Sequence, residues 1–367
     1  MNTEQIYGLV NSVTKQAFGT SALTVVDPKG LVDLGANVLS STNNTEAFLQ
    51  TLCQRIGRTL YHYRAYRNKL RNIVIESDME WGAIMQKIDM ELPEAVADDA
   101  FDLVDGQSVD PWIISKPSVR QKLYVGRAPF MFKITISRHT LKEAFLSESA
   151  MGSFITFVFG KIRNMLEASY EDLARAALGQ AIVNATFSVP LVSNYNALAT
   201  ATLDAGSALL DKDFLAYATG QINHYSDLIT DLSALYNDGS IETFTPKEDQ
   251  RLTVLSSFER TLETVLQYQA FHDGYVKLDG YEQINFWQSA QTPGTIQQVK
   301  IGESDTTTIE NVVAVLHDRD AVGAYQVDED VISTPVNARG LYYNTFYHVR
   351  KQYFVDTSET MVVFTLN

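Results

Sequence analysis

The sequence predicts a mixed α+β fold. One observation is an amphipathic helical pattern that runs unbroken over residues 147–184. A second is an alternating, Tyr/Phe-rich pattern over residues 341–355. The third is a pair of strand-like stretches, residues 70–75 and 122–136, separated by a long polar insertion.

In the helical stretch Phe154/Ile155, Val158/Phe159, Ile162, Met165/Leu166, Tyr170, Leu173, Ala177/Leu178 and Ile182 fall on one stripe. Ser147 or Ser149 can cap its start, with Glu148 where the helix dipole favours an acid. No proline occurs between Phe130 and Val189. A helix of roughly 35 residues would be about 50 Å long, well beyond the usual three turns. The alternative is two core helices broken at Gly160, since an interior glycine costs about 1 kcal/mol relative to alanine. As one rod, the helix needs Gly160 to be a bend or a close-contact point.

The C-terminal alternation predicts a strand of nearly 50 Å, turned over residues 356–360 and returning over 361–366. Together, the long rod and the long strand suggest a flat, extended subunit. Within residues 122–136, Pro129 predicts an edge strand or a bulge. The acidic insertion before it carries Pro93, Pro111 and Pro117, and is read as an extended hairpin projecting from the body.

Earlier in the chain, residues 3–18 predict a short amphipathic helix, and Asp27-Pro28-Lys29-Gly30 a turn. Asn43 with Glu46 predicts a capped helix bearing Phe48, Leu49, Leu52 and Ile56, stopped at Gly57. Thr140 with Glu143 predicts a short helix before the rod. After Pro190 the sequence predicts a polar loop, a helix over 212–236, a strand over 252–255, a helix over 257–271 and a buried strand over 312–316.

The formal charge is 29 − 44 = −15, unevenly spread. Arg55, Arg58, Arg64, Arg67, Lys69 and Arg71 form a block of net +6. Residues 76–110 follow with eleven acids, among them Glu91, Asp98 and Asp99, against the single base Lys87. Adjacent blocks of opposite sign suit pairing between copies of the chain, or are simply two solvated faces. The overall acidity argues against tight wrapping of nucleic acid.

No apolar run long enough to cross a membrane is present, and residues 1–19 lack the pattern of a signal peptide. Cys53 stands alone on an apolar helix face, which excludes an internal disulfide and fits a reducing cytoplasm. G-x-S-x-G, H-E-x-x-H, G-x-G-x-x-G and P-loop patterns are missing, and the six histidines are scattered without metal-ligand spacing. Asp318-Arg319-Asp320 and Asp328-Glu329-Asp330 read as turn acids. No catalytic, cofactor or metal residue is expected.

At the C-terminal strand, Asn337-Ala338-Arg339-Gly340-Leu341-Tyr342-Tyr343-Asn344 followed by Tyr347-His348-Val349 resembles the major head protein of phi-29-type short-tailed bacteriophages. Residues 315–320 and 48–57 resemble further segments of that family. The resemblance implies the Hong Kong 97 capsid fold, with a spine helix, an extended hairpin (the E-loop) and long C-terminal strands. It places an N-terminal arm at 1–57, the E-loop and its base at 58–137, a peripheral domain at 138–190 with 340–367, and an axial domain at 191–339. The implied function is a non-enzymatic shell protein that forms hexamers and pentamers of a phage head around double-stranded DNA. The implied partners are itself, a scaffolding protein and a portal, with assembly in the host cytoplasm and no membrane. An encapsulin-like nanocompartment shell and a soluble α+β enzyme are the alternatives.

Overall fold

The computed structural model describes residues 3–19, 23–59, 70, 74–75, 85–90, 105–106, 108, 112, 114, 119–124, 127–239, 241–267 and 281–367. In chain order the elements are α1 (Thr3–Phe18), α2 (Pro28–Ser40), α3 (Thr42–Thr59), β1 (Val74–Ile75), β2 (Met85–Met90), β3 (Val119–Tyr124), β4 (Arg127–Ser137), α4 (Arg138–Ala144) and α5 (Glu148–Asn184). They continue with β5 (Ser188–Pro190), α6 (Leu191–Ala199), α7 (Ala205–Ala208), α8 (Lys212–Leu228), β6 (Gln250–Leu255), α9 (Ser256–Gln267), β7 (Tyr281–Ile284), β8 (Ile296–Val299), β9 (Thr306–Ile309) and β10 (Val312–Asp318). The last are β11 (Val322–Ser333), β12 (Tyr342–Val355) and β13 (Met361–Thr365).

The rod is one helix. α5 spans 37 residues without interruption, about 55 Å of rise, and the Ser147 hydroxyl accepts from the Ala150 amide at 3.1 Å at its start. A side chain at Gly160 would meet nothing within 4 Å, so close contact is not why a glycine stands there.

Two compact units divide the chain. The first comprises Met1–Ala83, Arg127–Leu173 and Tyr325–Gln352. Its four-stranded sheet has the order β1-β11-β12-β4, which puts β4, with Pro129, at an edge as expected. β12 and β4 pair antiparallel over eleven residues, from Tyr342↔Ser137 to Gln352↔Arg127. Alternate residues of β12 (Tyr343, Thr345, Tyr347, Val349, Lys351) are buried, and a shared core joins Tyr343, Tyr347 and Val349 to Phe154, Ile155, Val158 and Ile162 of α5.

The N-terminal segment corrects the sequence reading in two places. Asp27-Pro28 does not make a turn but opens α2: Asp27 caps the Gly30 amide at 2.7 Å and Pro28 takes the first helical position, where its missing N–H costs nothing. α3 is capped by Ser41, whose hydroxyl accepts from Asn44 at 3.2 Å, and it runs past Gly57 to Thr59. Val10, Leu31, Leu34, Phe48 and Leu49 are buried with Leu141 and Phe145.

The second unit comprises Ile84–Gly126, Ala174–Ala324 and Tyr353–Asn367. Its five-stranded mixed sheet has the order β5-β13-β10-β6-β7; the inner pairs are antiparallel, and β5 and β7 join in parallel. All of β10 and β13 is buried. Several sequence expectations shift here. α6 and α7 occupy the stretch read as a polar loop, and the helix expected over 212–236 ends at Leu228. Asp318–Asp320 is a turn, with Asp320 N–H donating to Asp318 Oδ1 at 2.7 Å, but Asp328–Asp330 lie inside β11. The stretch read as one strand over 122–136 is two, β3 and β4, with different partners.

Gly35 packs against Phe145. An added Cβ would lie 2.5 Å from the Phe145 Cβ, and that ring is held 5.5 Å from Phe48. Gly35→Ala is therefore expected to destabilise the chain by about 1–3 kcal/mol, while Gly160→Ala, in open space, is expected to stabilise it by up to about 1 kcal/mol. Urea unfolding midpoints of the two variants check the contrast.

Candidate functional site

The insertion between residues 76 and 118 is built on a hairpin. β2 and β3 pair antiparallel in the register Gln86↔Leu123, Lys87↔Lys122, Ile88↔Gln121. Opposed residues share a face, so Lys87, Lys122 and Tyr124 lie on one side and Gln86, Ile88, Gln121 and Leu123 on the other.

The first face is fastened to the turn between β12 and β13. Lys87 donates to Asp356 Oδ2 at 2.6 Å and to Glu359, and Lys122 donates to Asp356 Oδ1 at 2.7 Å. Asp238 Oδ2 adds a longer contact to Lys122 at 3.8 Å. Tyr124 packs on Phe354 with ring centroids 5.3 Å apart. The Asp356 side chain is fully buried, whereas Lys87 and Lys122 keep 23% and 34% exposure.

The turn is prepared for this load. Ser358 donates to Asp356 Oδ1 from both its backbone amide, at 3.0 Å, and its hydroxyl, at 2.7 Å. Asp356 N–H donates to the Ala321 carbonyl at 2.8 Å, Asp238 N–H to that of Thr357 at 2.9 Å, and Asp318 N–H to that of Thr360 at 3.0 Å. Burial alone would raise the Asp356 carboxyl, but hydrogen bonds from Lys122, Lys87 and Ser358 outweigh it and hold the group well below the usual carboxylate range. Burial likewise opposes the Lys87 charge, and Asp356 and Glu359 overcome it and raise its pKa. Glu359 stays raised, because burial and the neighbouring acids Asp318 and Asp356 outweigh its bond to Lys87. Asp356 is the centre of the clamp, and Glu359 is secondary.

The opposite face is bare. Ile88, Val119 and Leu123 are exposed, and so are Trp112 and Ile114 further along the insertion. Among the described residues no group of three or more His, Cys, Asp or Glu is placed to hold a metal ion, and no helix is long and apolar enough to cross a membrane.

Of the residues nominated from sequence, Arg55 and Arg58 fall in the last two turns of α3. Arg64, Arg67, Lys69, Arg71, Glu91, Asp98 and Asp99 lie outside the described residues. Sequence reasoning missed the role of Lys87. Its signal was its isolation as the one base in a block of eleven acids.

Residues 10–365 match the family model described as the Phi29-like phage major capsid protein. The chain is also similar to a chain of the capsid structure of Staphylococcus phage Andhra (12% identity, 83% of this chain and 86% of that one, TM-score 0.54). A second likeness is to a chain in the structure of head fibre and inner core protein of native bacteriophage P68 (13% identity, 84% and 86%, TM-score 0.55). No curated protein matches the sequence. The architecture is the Hong Kong 97-like α+β capsid fold.

Replacing Asp356 with Asn should remove the buried carboxylate that both lysines share, leaving Glu359 to Lys87 and the longer Asp238 contact to Lys122. The expected cost is about 2–3 kcal/mol, below that of a fully buried pair because the lysines remain partly wet. A carboxyl with a depressed folded pKa contributes stability that is complete above the ordinary value near 4 and is lost as pH falls toward the folded value. The stability gap between wild type and Asp356→Asn should therefore be constant from about pH 7 to about 5 and narrow below about 4. Urea unfolding as a function of pH measures it.

Proposed function

The chain belongs to the Phi29-like phage major capsid protein family, the structural proteins of the phage capsid shell, and on that premise we propose that it assembles through hexamers and pentamers into a head enclosing double-stranded DNA. The role is structural and not catalytic. A scaffolding protein and a portal take part, and assembly occurs in the host cytoplasm. The family is a phage one, which sets aside the nanocompartment shell.

The observation that carries the reading is the two-faced hairpin. One side is clamped to its own chain through Asp356, and the other offers Ile88, Val119 and Leu123 to solvent. A two-stranded ribbon with an apolar free face is marginal alone. In a shell that face is covered by the adjoining copy. Many such modest contacts, each repeated around a closed assembly, add up by multivalency.

The proposed layout is an arm at 1–57, an E-loop and its base at 58–137, a peripheral domain at 138–190 with 340–367 and an axial domain at 191–339. In this layout the basic residues Arg55, Arg58, Arg64, Arg67, Lys69 and Arg71 meet acids such as Glu91, Asp98 and Asp99 of a neighbour. Exposed pairs contribute about 0–1 kcal/mol each, so they set register more than strength. The net charge of −15 keeps packaged DNA from adhering to the inner wall.

Two variants test the surfaces separately. Ile88→Lys with Leu123→Lys should leave the subunit folded and abolish particles in negative-stain micrographs. Arg64→Glu with Arg67→Glu should lower the yield of regular particles, and normal particles from this variant would remove the charge pairing from the account.

A further inference from the structure

Lys351 occupies an unusual place. It continues the inward row of β12, after Tyr343, Thr345, Tyr347 and Val349, and it is fully buried. Its ammonium donates to the Ser169 hydroxyl and to the Leu166 carbonyl, the latter at 3.5 Å, both on α5. It lies 3.3 Å from the centroid of the Tyr170 ring and 5.4 Å from that of Phe130 on β4. The Ser169 hydroxyl itself donates to the Leu166 carbonyl at 2.8 Å. Among the described residues no carboxylate forms an ion pair with Lys351. The charged groups of α5 that act on it are Glu167 and Asp172, through their fields. From β4 the group facing it is the Phe130 ring, and the β11 side chains of residues 325–329 lie outside the described residues.

We propose that Lys351 is a proton-operated fastener between helix α5 and strand β12. Uncharged, it is an amine in an aromatic cage with acceptors for its hydrogens. Protonated, it is a buried cation that the Tyr170 and Phe130 rings and the Leu166 carbonyl compensate only in part, with no counter-ion in contact among the described residues, so acidification loosens the helix from the strand.

Burial pushes Lys351 down to about 7, against the pull of Glu167 and Asp172. The unfolded chain, with an ordinary lysine near 10.5, then binds more protons than the folded one between those values. Stability therefore rises with pH across that window and is level on either side. Glu282, raised to about 7 by burial against the pull of Arg251, acts in the opposite sense; about three-quarters of it is ionised at pH 7.5, and its remaining contribution is common to wild type and variant. Over pH 7.5 to 9.5 the difference between wild type and a variant lacking the amine isolates Lys351, because the other groups, Glu282 and tyrosines such as Tyr281, are common to both.

The experiment is equilibrium urea unfolding of the full chain, kept as unassembled subunits, for wild type and Lys351→Met at pH 7.5 and 9.5. From the lower to the higher pH the wild-type unfolding constant should fall roughly 70-fold more than that of the variant. Equal pH dependence in the two proteins would overturn the proposal. If Lys351→Met does not fold, hydrogen exchange of wild-type amides 166–173 decides. After correction for intrinsic rates these should be better protected at pH 9.5 than at 7.5, and unchanged protection would reject the fastener.

Discussion

A two-stranded ribbon has two faces, and among the described residues of this chain only the first is covered. Asp356 does most of that work: it is fully buried, held by Ser358, and accepts from one lysine on each strand of the hairpin. A carboxylate removed from water is costly unless it is paired and its oxygens are satisfied, and here both conditions are met. The aromatic contact between Tyr124 and Phe354 adds area beside the charges. The direction of the hairpin, and with it the presentation of Ile88 and Leu123, follows from that one anchoring point.

Strand β12 carries an unusual share of the design. Its inward row supplies Tyr343, Tyr347 and Val349 to the core around α5, and the same row ends in the buried Lys351. A few residues later the chain enters the turn that holds the clamp. Two ionisable side chains five positions apart thus work in opposite ways. Lys351 has no ion-pair partner among the described residues and is pushed toward neutrality, while Asp356 has two cationic partners and keeps its charge. Burial is common to both, and partners decide the outcome.

How far the sequence could be read depended on how regular each signal was. α5 was legible because its apolar stripe holds the helical period for ten turns, and β12 because its alternation persists over 14 residues. α2 was missed because Gly30 and Gly35 dilute its stripe, and Asp-Pro serves both a turn and a helix start. The division of residues 122–136 into β3 and β4 turns on the pairing partners, Met85–Met90 for one and β12 for the other, which composition does not encode. β2 was hidden in the acidic block, where Lys87 marked the spot without naming its partner 269 residues away. The charge blocks were plain to see, but apart from Arg55 and Arg58 the residues nominated in them lie outside the described residues.

The central question is which face of the hairpin is covered by its own chain and which by another. Electron cryomicroscopy of assembled particles, at a resolution that shows side chains, tests this directly. The expected map has Lys87 and Lys122 on Asp356 of the same chain, with Ile88 and Leu123 buried against an adjoining copy. A map in which Ile88 and Leu123 face solvent in every subunit would contradict it.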